Sequence, residues 1–300
     1  MTTRREFVRQ ISGAAVSAAL PLPAALDRPH SAGSIRIGYA SITWNEKDRQ
    51  AIDDISALGY AGIQLRANVL ASIGRDPAAL RRVLADHHLT FVALSSGNVS
   101  IAPEEESRTI DEHVAHAQWL KDAGGLYLQL IADSRHGRRA TPSECERLGH
   151  LLTEIGKRTA EFGIPVVFHP HVGSLSEAPA DTNRVLRATD PRYVRLLLDV
   201  AHWQQGGGDP VAAIRQYRDR LQMLHIKDVR PDSGGGGYQF VELGRGTVNL
   251  RGVFRALRAI QFDGWAVVEL DSVPDPSRTP AQSAAISKEY LERVIGVRIA

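Results

Sequence analysis

Along the 300-residue chain, imidazoles and carboxylates gather at four places, each at the end of a short apolar run. They are Val167-Phe168-His169-Pro170-His171, Leu198-Asp199-Val200-Ala201-His202, Leu224-His225-Ile226-Lys227-Asp228 and Val267-Val268-Glu269-Leu270-Asp271. Any one of them has a plain explanation. A histidine at a strand end is more often a hydrogen-bonded loop residue than a ligand, and an aspartate there is often a helix cap. Four in succession ask for a common cause. On consecutive strands of one sheet, His169, Asp199, His225 and Glu269 take equivalent positions, and their tips converge within one coordination sphere. Two nitrogens and two carboxylates suit a divalent ion, Mn²⁺ or Co²⁺ first and Zn²⁺ or Fe²⁺ next, better than an all-oxygen Mg²⁺ or Ca²⁺ site. Such an ion acts as a Lewis acid on a carbonyl and stabilises the enediolate formed when the α-proton leaves. Glu269 or a neighbouring histidine is the candidate base. His171 or His202 can return the proton to a departing β-hydroxyl, which is dehydration, or elsewhere, which is isomerisation. Lys227 can hold substrate oxygens or polarise the carbonyl; its plainer role is a pair with Asp228.

The elements that must position these groups are legible as alternation. Apolar runs cover Ile35–Ala40, Gly62–Arg66, Phe91–Ser95, Leu126–Ile131, Pro165–His169, Val194–Asp199, Met223–Lys227 and Ala266–Leu270. They are continuous rather than alternating, as in strands buried on both faces of a parallel sheet. Helical patterns lie between them, with Asp76-Pro77 and Asp209-Pro210 as cap and first position, and Thr141-Pro142-Ser143-Glu144 as a capping box. The spacing of successive runs is that of βα units, and eight of them closing into a single-domain α/β (β/α)₈ barrel account for residues 35–300. A doubly wound dinucleotide fold would need Gly-x-Gly-x-x-Gly after the first strand, and the sequence has none there. The Gly234–Gly237 run reads as a loop and not a phosphate cradle, because no helix start or P-loop lysine follows it.

Composition narrows the partners. The chain is 43% apolar and 23% charged with a formal net charge of +2, ordinary for a globular protein. Residues 1–34 hold Arg4, Arg5, Arg9 and Arg28 against Glu6 and Asp27, which accounts for that excess. The neutral remainder offers no electrostatic footprint for nucleic acid or an anionic membrane. The single cysteine, Cys145, excludes an intramolecular disulfide. At the N-terminus, Arg4-Arg5-Glu6-Phe7-Val8 precedes an uncharged stretch from Ile11 to Ala25 too short and weakly apolar to span a bilayer. It reads as a twin-arginine export signal, implying the twin-arginine machinery as a partner and a periplasmic or otherwise exported destination. That route carries folded proteins, which suits an enzyme that acquires its metal in the cytoplasm.

At the chemistry-bearing residues the sequence resembles the xylose-isomerase-like TIM-barrel superfamily of sugar isomerases, epimerases and dehydratases, and within it the inosose (2-keto-myo-inositol) dehydratase branch. The resemblance lies in Phe168-His169-Pro170-His171-Val172-Gly173, Leu197-Leu198-Asp199-Val200-Ala201-His202 and Leu224-His225-Ile226-Lys227-Asp228-Val229-Arg230. Gly244-Arg245-Gly246 with Asn249, and Gly264-Trp265 through Glu269 to Asp275-Pro276, extend it; Thr43-Trp44-Asn45 is a looser match to the first strand and loop. By it the metal ligands are His169, Asp199, His225 and Glu269. Glu269, His171, His202 and Lys227 become the catalytic groups, with Trp44, Gln64 and Arg230 contacting a small carbohydrate substrate. Many epimerases of the superfamily carry Glu where His169 stands, and many relatives carry Glu where this chain has Gln64. The implied activity is proton abstraction α to a carbonyl on a keto-sugar or cyclitol. The rivals are β-elimination from exported 3-keto-glycosides, an endonuclease IV-like nuclease, and a non-catalytic sugar-binding barrel. The nuclease would need more metal ligands and a basic face.

Overall fold

The computed structural model describes residues 34–232 and 236–299. The leader read at 1–34, but for its last residue, and Gly234 and Gly235 of the glycine run therefore lie outside the described residues. Eight parallel strands close into a barrel: β1 (Ile35–Ala40), β2 (Gly62–Arg66), β3 (Thr90–Val99), β4 (Tyr127–Ala132), β5 (Val166–His169), β6 (Val194–Asp199), β7 (Leu221–Ile226) and, last in the chain, β10 (Gly264–Val268). The order around the barrel is β1-β10-β7-β6-β5-β4-β3-β2. An antiparallel hairpin, β8 (Asp228–Pro231) with β9 (Tyr238–Val241), follows β7 directly.

The caps read from sequence are present. Asp76 accepts from the Ala79 N–H at the start of α2 (Pro77–Asp86), and Asp209 accepts from Val211 at the start of α7 (Pro210–Gln216). Thr141 and Glu144 form a reciprocal box at the start of α4 (Pro142–Ala160). Each Asp or Thr side chain satisfies an N–H that the first helical turn leaves orphaned.

Strand residues face two separate apolar clusters. Val166, Phe168, Leu196, Leu198, Leu224, Ile226, Ala266 and Val268 belong to the large core between strands and helices. Their neighbours Val167, Leu197, Met223, Trp265 and Val267 form a second cluster with Ala40, Val92 and Ala93. Because side chains alternate along a strand, this second set is the plug inside the barrel. Trp265 fills much of it, and only glycine at position 62 leaves it room: a Cβ there would come within 2.6 Å of the indole.

Five of the eight strands have boundaries that differ from the sequence reading, and three of these differences bear on the site. β10 ends at Val268, so Glu269 stands just beyond the strand, and Lys227 likewise follows β7. β3 runs four residues past Ser95, to Val99, after a register shift against β4. The sequence reading places a loop at Gly234–Gly237 and no strands beside it; the structure sets the hairpin strands on either side.

Candidate active site and metal centre

The period of two that builds the plug also builds the site. Two residues beyond Val167, Leu197, Met223 and Val267, on the same face of each strand, come His169, Asp199, His225 and Glu269. One further step gives Lys227 and Asp271. The polar layer is thus the continuation of the apolar one at the C-terminal mouth, where barrel enzymes carry their chemistry. Asp199 pairs in register with His225; Val267, rather than Glu269, is the β10 partner of His225.

His225 is completely buried and its two ring nitrogens have different neighbours. Nε2 donates to Gln64 Oε1 at 2.9 Å, so whenever the ring is neutral Nδ1 is the nitrogen with a lone pair to offer. Nδ1 stands 3.3 Å from Glu269 Oε2 and 3.6 Å from Asp199 Oδ2. Asp199 divides its work: Oδ1 caps α6 (Val200–Gln205) by accepting from the Ala201 and His202 N–H groups, whereas Oδ2 is buried without a partner. His169 Nδ1 and His225 Nδ1 are also buried and unpartnered. Ligating atoms of His169, Asp199, His202 and Glu269 all lie within 4.8 Å of one another, as do those of His169, His171 and His202. Each buried orphan costs about 1–3 kcal/mol. A divalent cation among His169, Asp199 and Glu269 would relieve the orphaned atoms there, so this donor set fits one; in these groups His202 stands where the sequence reading placed His225, whose Nδ1 lies beside Asp199 and Glu269 but outside both.

The electrostatics agree. Burial, reinforced by His225, His171 and Lys227, holds His169 well below the ordinary imidazole range, so it keeps a lone pair to offer. Burial and then Lys227 do the same to His202. Burial by itself would raise the Glu269 carboxyl, but His225, when its ring is protonated, and Lys227 outweigh it and keep Glu269 ionised. Lys227 is fully buried, its ammonium 3.0 Å from Glu269 Oε1, 2.5 Å from Asp271 Oδ1 and 3.3 Å from His202 Nε2, and 4.1 Å from the centre of the Phe240 ring. Burial would lower its affinity for the proton; Glu269, Asp271 and Asp199 more than offset that and hold it above the ordinary lysine range. Lys227 does not pair with Asp228. Asp228 instead accepts from the N–H groups of Val229, Gly244, Gly246 and Val248, anchoring the root of the hairpin. Gly246 is required there, because a Cβ would lie 2.2 Å from Asp228 Oδ1.

A cavity of about 370 Å³ opens beside this cluster, lined by His169, His171, Glu269 and Asp271 on one side and by Gln64 among others on the other. His171 donates from Nδ1 to the Val172 carbonyl at 2.6 Å, which leaves Nε2 outside that bond, and its ring lies 3.8 Å from that of His202 at a tilt of 38°. Gln64, read as a substrate contact, lines the cavity but also bridges His225 and, at 3.5 Å, Glu269 Oε2. The other two expected contacts lie elsewhere. Trp44 is buried against Tyr39 and donates its indole N–H to Asp54 at 2.7 Å, so its polar end is already satisfied away from the mouth. Arg230 is exposed on β8 and donates to Gln239 across the hairpin. Two site residues went unread. Asp271 repeats the inward period after Glu269, a signal present in the sequence; Phe240 reaches Lys227 and His202 only because the hairpin folds back, and no local pattern marks it.

Comparison with known proteins agrees with this architecture. The sequence is similar to an inosose dehydratase of Lacticaseibacillus casei, 27% identical, with 88% of this chain and 98% of that protein aligned. It is also similar to the rhizopine catabolism protein MocC of Rhizobium meliloti, 29% identical over 87% of this chain and 89% of the relative. Among solved structures, the IOLI protein with a bound zinc atom superposes with a TM-score of 0.76 at 18% identity, covering 87% of this chain and 98% of the other. The 3-keto-D-glucoside 4-epimerase YcjR of E. coli superposes with a TM-score of 0.71 at 18% identity, covering 86% and 99%. At these identities the superpositions speak for the fold alone. The profile of the family described as xylose isomerase-like TIM barrel matches residues 52–293, and the closed eight-stranded barrel is the fold that description names: the chain belongs to the xylose isomerase-like TIM-barrel family.

Proposed function

We propose that this protein is a divalent-metal-dependent enzyme that removes the proton α to the carbonyl of a keto-cyclitol or keto-sugar and expels a β-hydroxyl as water. The observation that carries the reading is the convergence of donors from His169, Asp199 and Glu269, with His225 Nδ1 beside the two carboxylates, next to a ring-sized cavity that His169 and Glu269 line. The inosose dehydratases among its relatives support the substrate class. His169, Asp199, His225 and Glu269 would hold the ion, which when bound supplies Lewis acidity that withdraws electron density from a ketone and acidifies the neighbouring C–H.

The chain's own groups divide the remaining work. His171, at the cavity wall, takes the α-proton on Nε2, the nitrogen outside the Val172 bond. Lys227 stays charged and cannot act as a base; its ammonium fixes Glu269, Asp271 and His202 and sets positive charge beside the negative charge that develops on the substrate. His202, whose ring lies against that of His171, holds it in place. The proton on His171 then passes to the β-hydroxyl, the C–O bond breaks, water leaves, and the electron pair of the broken C–H bond becomes a C=C conjugated with the carbonyl. Returned to carbon instead, the same proton gives isomerisation. The Arg4-Arg5 leader would export the folded enzyme by the twin-arginine route.

Elemental analysis joined to proton exchange in heavy water tests the reading across 2-keto-myo-inositol, ketoses and 3-keto-glucosides. The expected result is a bound divalent ion, deuterium at the α-carbon, and enone absorbance with 2-keto-myo-inositol. Enone formation from 3-keto-glucosides only would point to glycoside elimination. A protein with no bound ion and no stabilisation by Mn²⁺ or Co²⁺ would leave a sugar-binding barrel.

A further inference from the structure

Lys227, which the sequence reading offers to substrate oxygens, has no hydrogen left to give. An ammonium carries three N–H donors and no acceptor. Those of Lys227 meet Glu269 Oε1 at 3.0 Å, Asp271 Oδ1 at 2.5 Å and His202 Nε2 at 3.3 Å. The side chain is fully buried and does not line the cavity. Asp271 is placed differently. It lines the cavity, and its side chain is 37% exposed where that of Lys227 is wholly covered. Only Oδ1 is engaged. Within the described residues Oδ2 has no partner, and unlike Asp199 Oδ2 it is not sealed from solvent. The backbone leading to it is tied at two points. The Glu269 N–H donates to the Ile226 carbonyl at 3.1 Å, and the buried Thr43 hydroxyl donates to the Leu270 carbonyl at 2.6 Å. With Lys227 on its inner oxygen, the Asp271 carboxylate is fixed from the backbone and from the tip before any ligand arrives.

We propose that Asp271 binds the substrate: Oδ2 accepts a hydrogen bond from one substrate hydroxyl, and Lys227 acts on the substrate only through the two carboxylates it holds. The contact selects by position. A hydroxyl there brings a donor to a carboxylate oxygen, whereas an ether or a carboxylate at the same carbon brings only acceptors and is refused. Thr43, from the loop after β1, becomes a positioning residue for that contact, since it holds the carbonyl between Glu269 and Asp271. The inference rests on the reading that the cavity holds the substrate, and it adds a specificity residue outside the ligating set.

Asp271→Asn tests it, because Lys227 decides how the amide sits. An ammonium only donates, so the amide oxygen must face Nζ and the N–H₂ takes the place of Oδ2 at the cavity. On the Mn²⁺-supplied full chain, kcat and KM are measured with 2-keto-myo-inositol and its mono-O-methyl derivatives. Bound metal is read by elemental analysis, and affinity for myo-inositol by calorimetry. The variant should hold as much metal as native protein. Its kcat/KM on the parent compound should fall about 10- to 100-fold, the range of one hydrogen bond to a charged group. It should take at least one mono-O-methyl derivative better than native protein does, since its N–H₂ can donate to an ether oxygen; a merely structural role gives no such gain. Should Asp271→Asn not fold, the mono-O-methyl series on native protein decides: one derivative refused tenfold or more supports the inference, and equal acceptance of all overturns it. A variant within twofold of native on the parent would overturn the inference and leave the reaction standing. Loss of metal from the variant would also overturn it, making Asp271 a prop for Glu269. Binding of myo-inositol that Asp271→Asn weakens tenfold, with no turnover by either protein, would keep the inference and sink the reaction. Native protein that neither binds nor turns over these rings would overturn both.

Discussion

Gln64 on β2 accepts a hydrogen bond from His225 on β7 at 2.9 Å, across the barrel mouth, and this bond sets which nitrogen of His225 faces Asp199 and Glu269. An outer partner of this kind fixes the tautomer and the ring angle of a ligand. Gln64→Leu keeps the volume and removes the acceptor. Divalent-metal affinity should fall about 10- to 100-fold, as for other outer-partner losses, measured by competition with a metallochromic chelator. Undiminished affinity would show that packing alone orients His225.

Removing a ligand should be more severe than loosening one. His225→Ala and Glu269→Gln are expected to abolish metal binding and turnover together, read by elemental analysis and by enone formation on the same samples. Full activity in either variant would refute the ligand assignment.

Asp228 spends its carboxylate on the hairpin root, with Oδ2 accepting from Gly244 and Gly246 and Oδ1 from Val229 and Val248. Asp228→Asn must set an N–H₂ donor against one of these pairs of N–H groups. The cost should be about 1–3 kcal/mol per unmet donor, felt first as faster hydrogen exchange at residues 244–248. Because Phe240 covers Lys227 from this hairpin, turnover should fall as well. Native exchange rates at those amides would sink the anchoring role.

His113 on α3 (Glu106–Asp122) gives a pH signature independent of the active site. Its Nε2–H donates to the Asn98 carbonyl and its Nδ1 accepts from Ser96; burial, aided by His116, brings its pKa down to about 4. The unfolded chain binds that proton near pH 6.5 and the folded one does not. The stabilising difference is therefore complete above about pH 6.5 and shrinks as pH falls toward 4. The loss approaches about 3 kcal/mol from this group, with His116 acting in the same direction. Urea unfolding from pH 7 to 4 should show the slope, and His113→Gln should flatten it. Equal slopes in both proteins would place the effect elsewhere.

The leader makes a cellular prediction. Full-length chain expressed in a bacterium with a twin-arginine system should reach the periplasm, and Arg4→Lys with Arg5→Lys should hold it in the cytoplasm. Fractionation with unchanged distribution would dismiss the export reading.

What the sequence alone determined follows from local periodicity. Continuous apolar runs mean strands buried on both faces, and caps such as Asp76, Thr141 and Asp209 sit beside the helices they start. Stepping by two beyond Val167, Leu197, Met223 and Val267 lands on His169, Asp199, His225 and Glu269, so this inward-facing polar layer was legible once parallel strands were assumed. Tertiary structure decided everything that depends on direction and on long separations. Lys227 turns to Glu269 and Asp271 rather than to adjacent Asp228, because on a strand successive side chains point to opposite faces. Trp44 goes to the core, since its indole finds Asp54 there. The Gln64–His225 bond joins residues 161 apart in the chain, and which atom of an amide remains free is settled only by the neighbours that claim the rest.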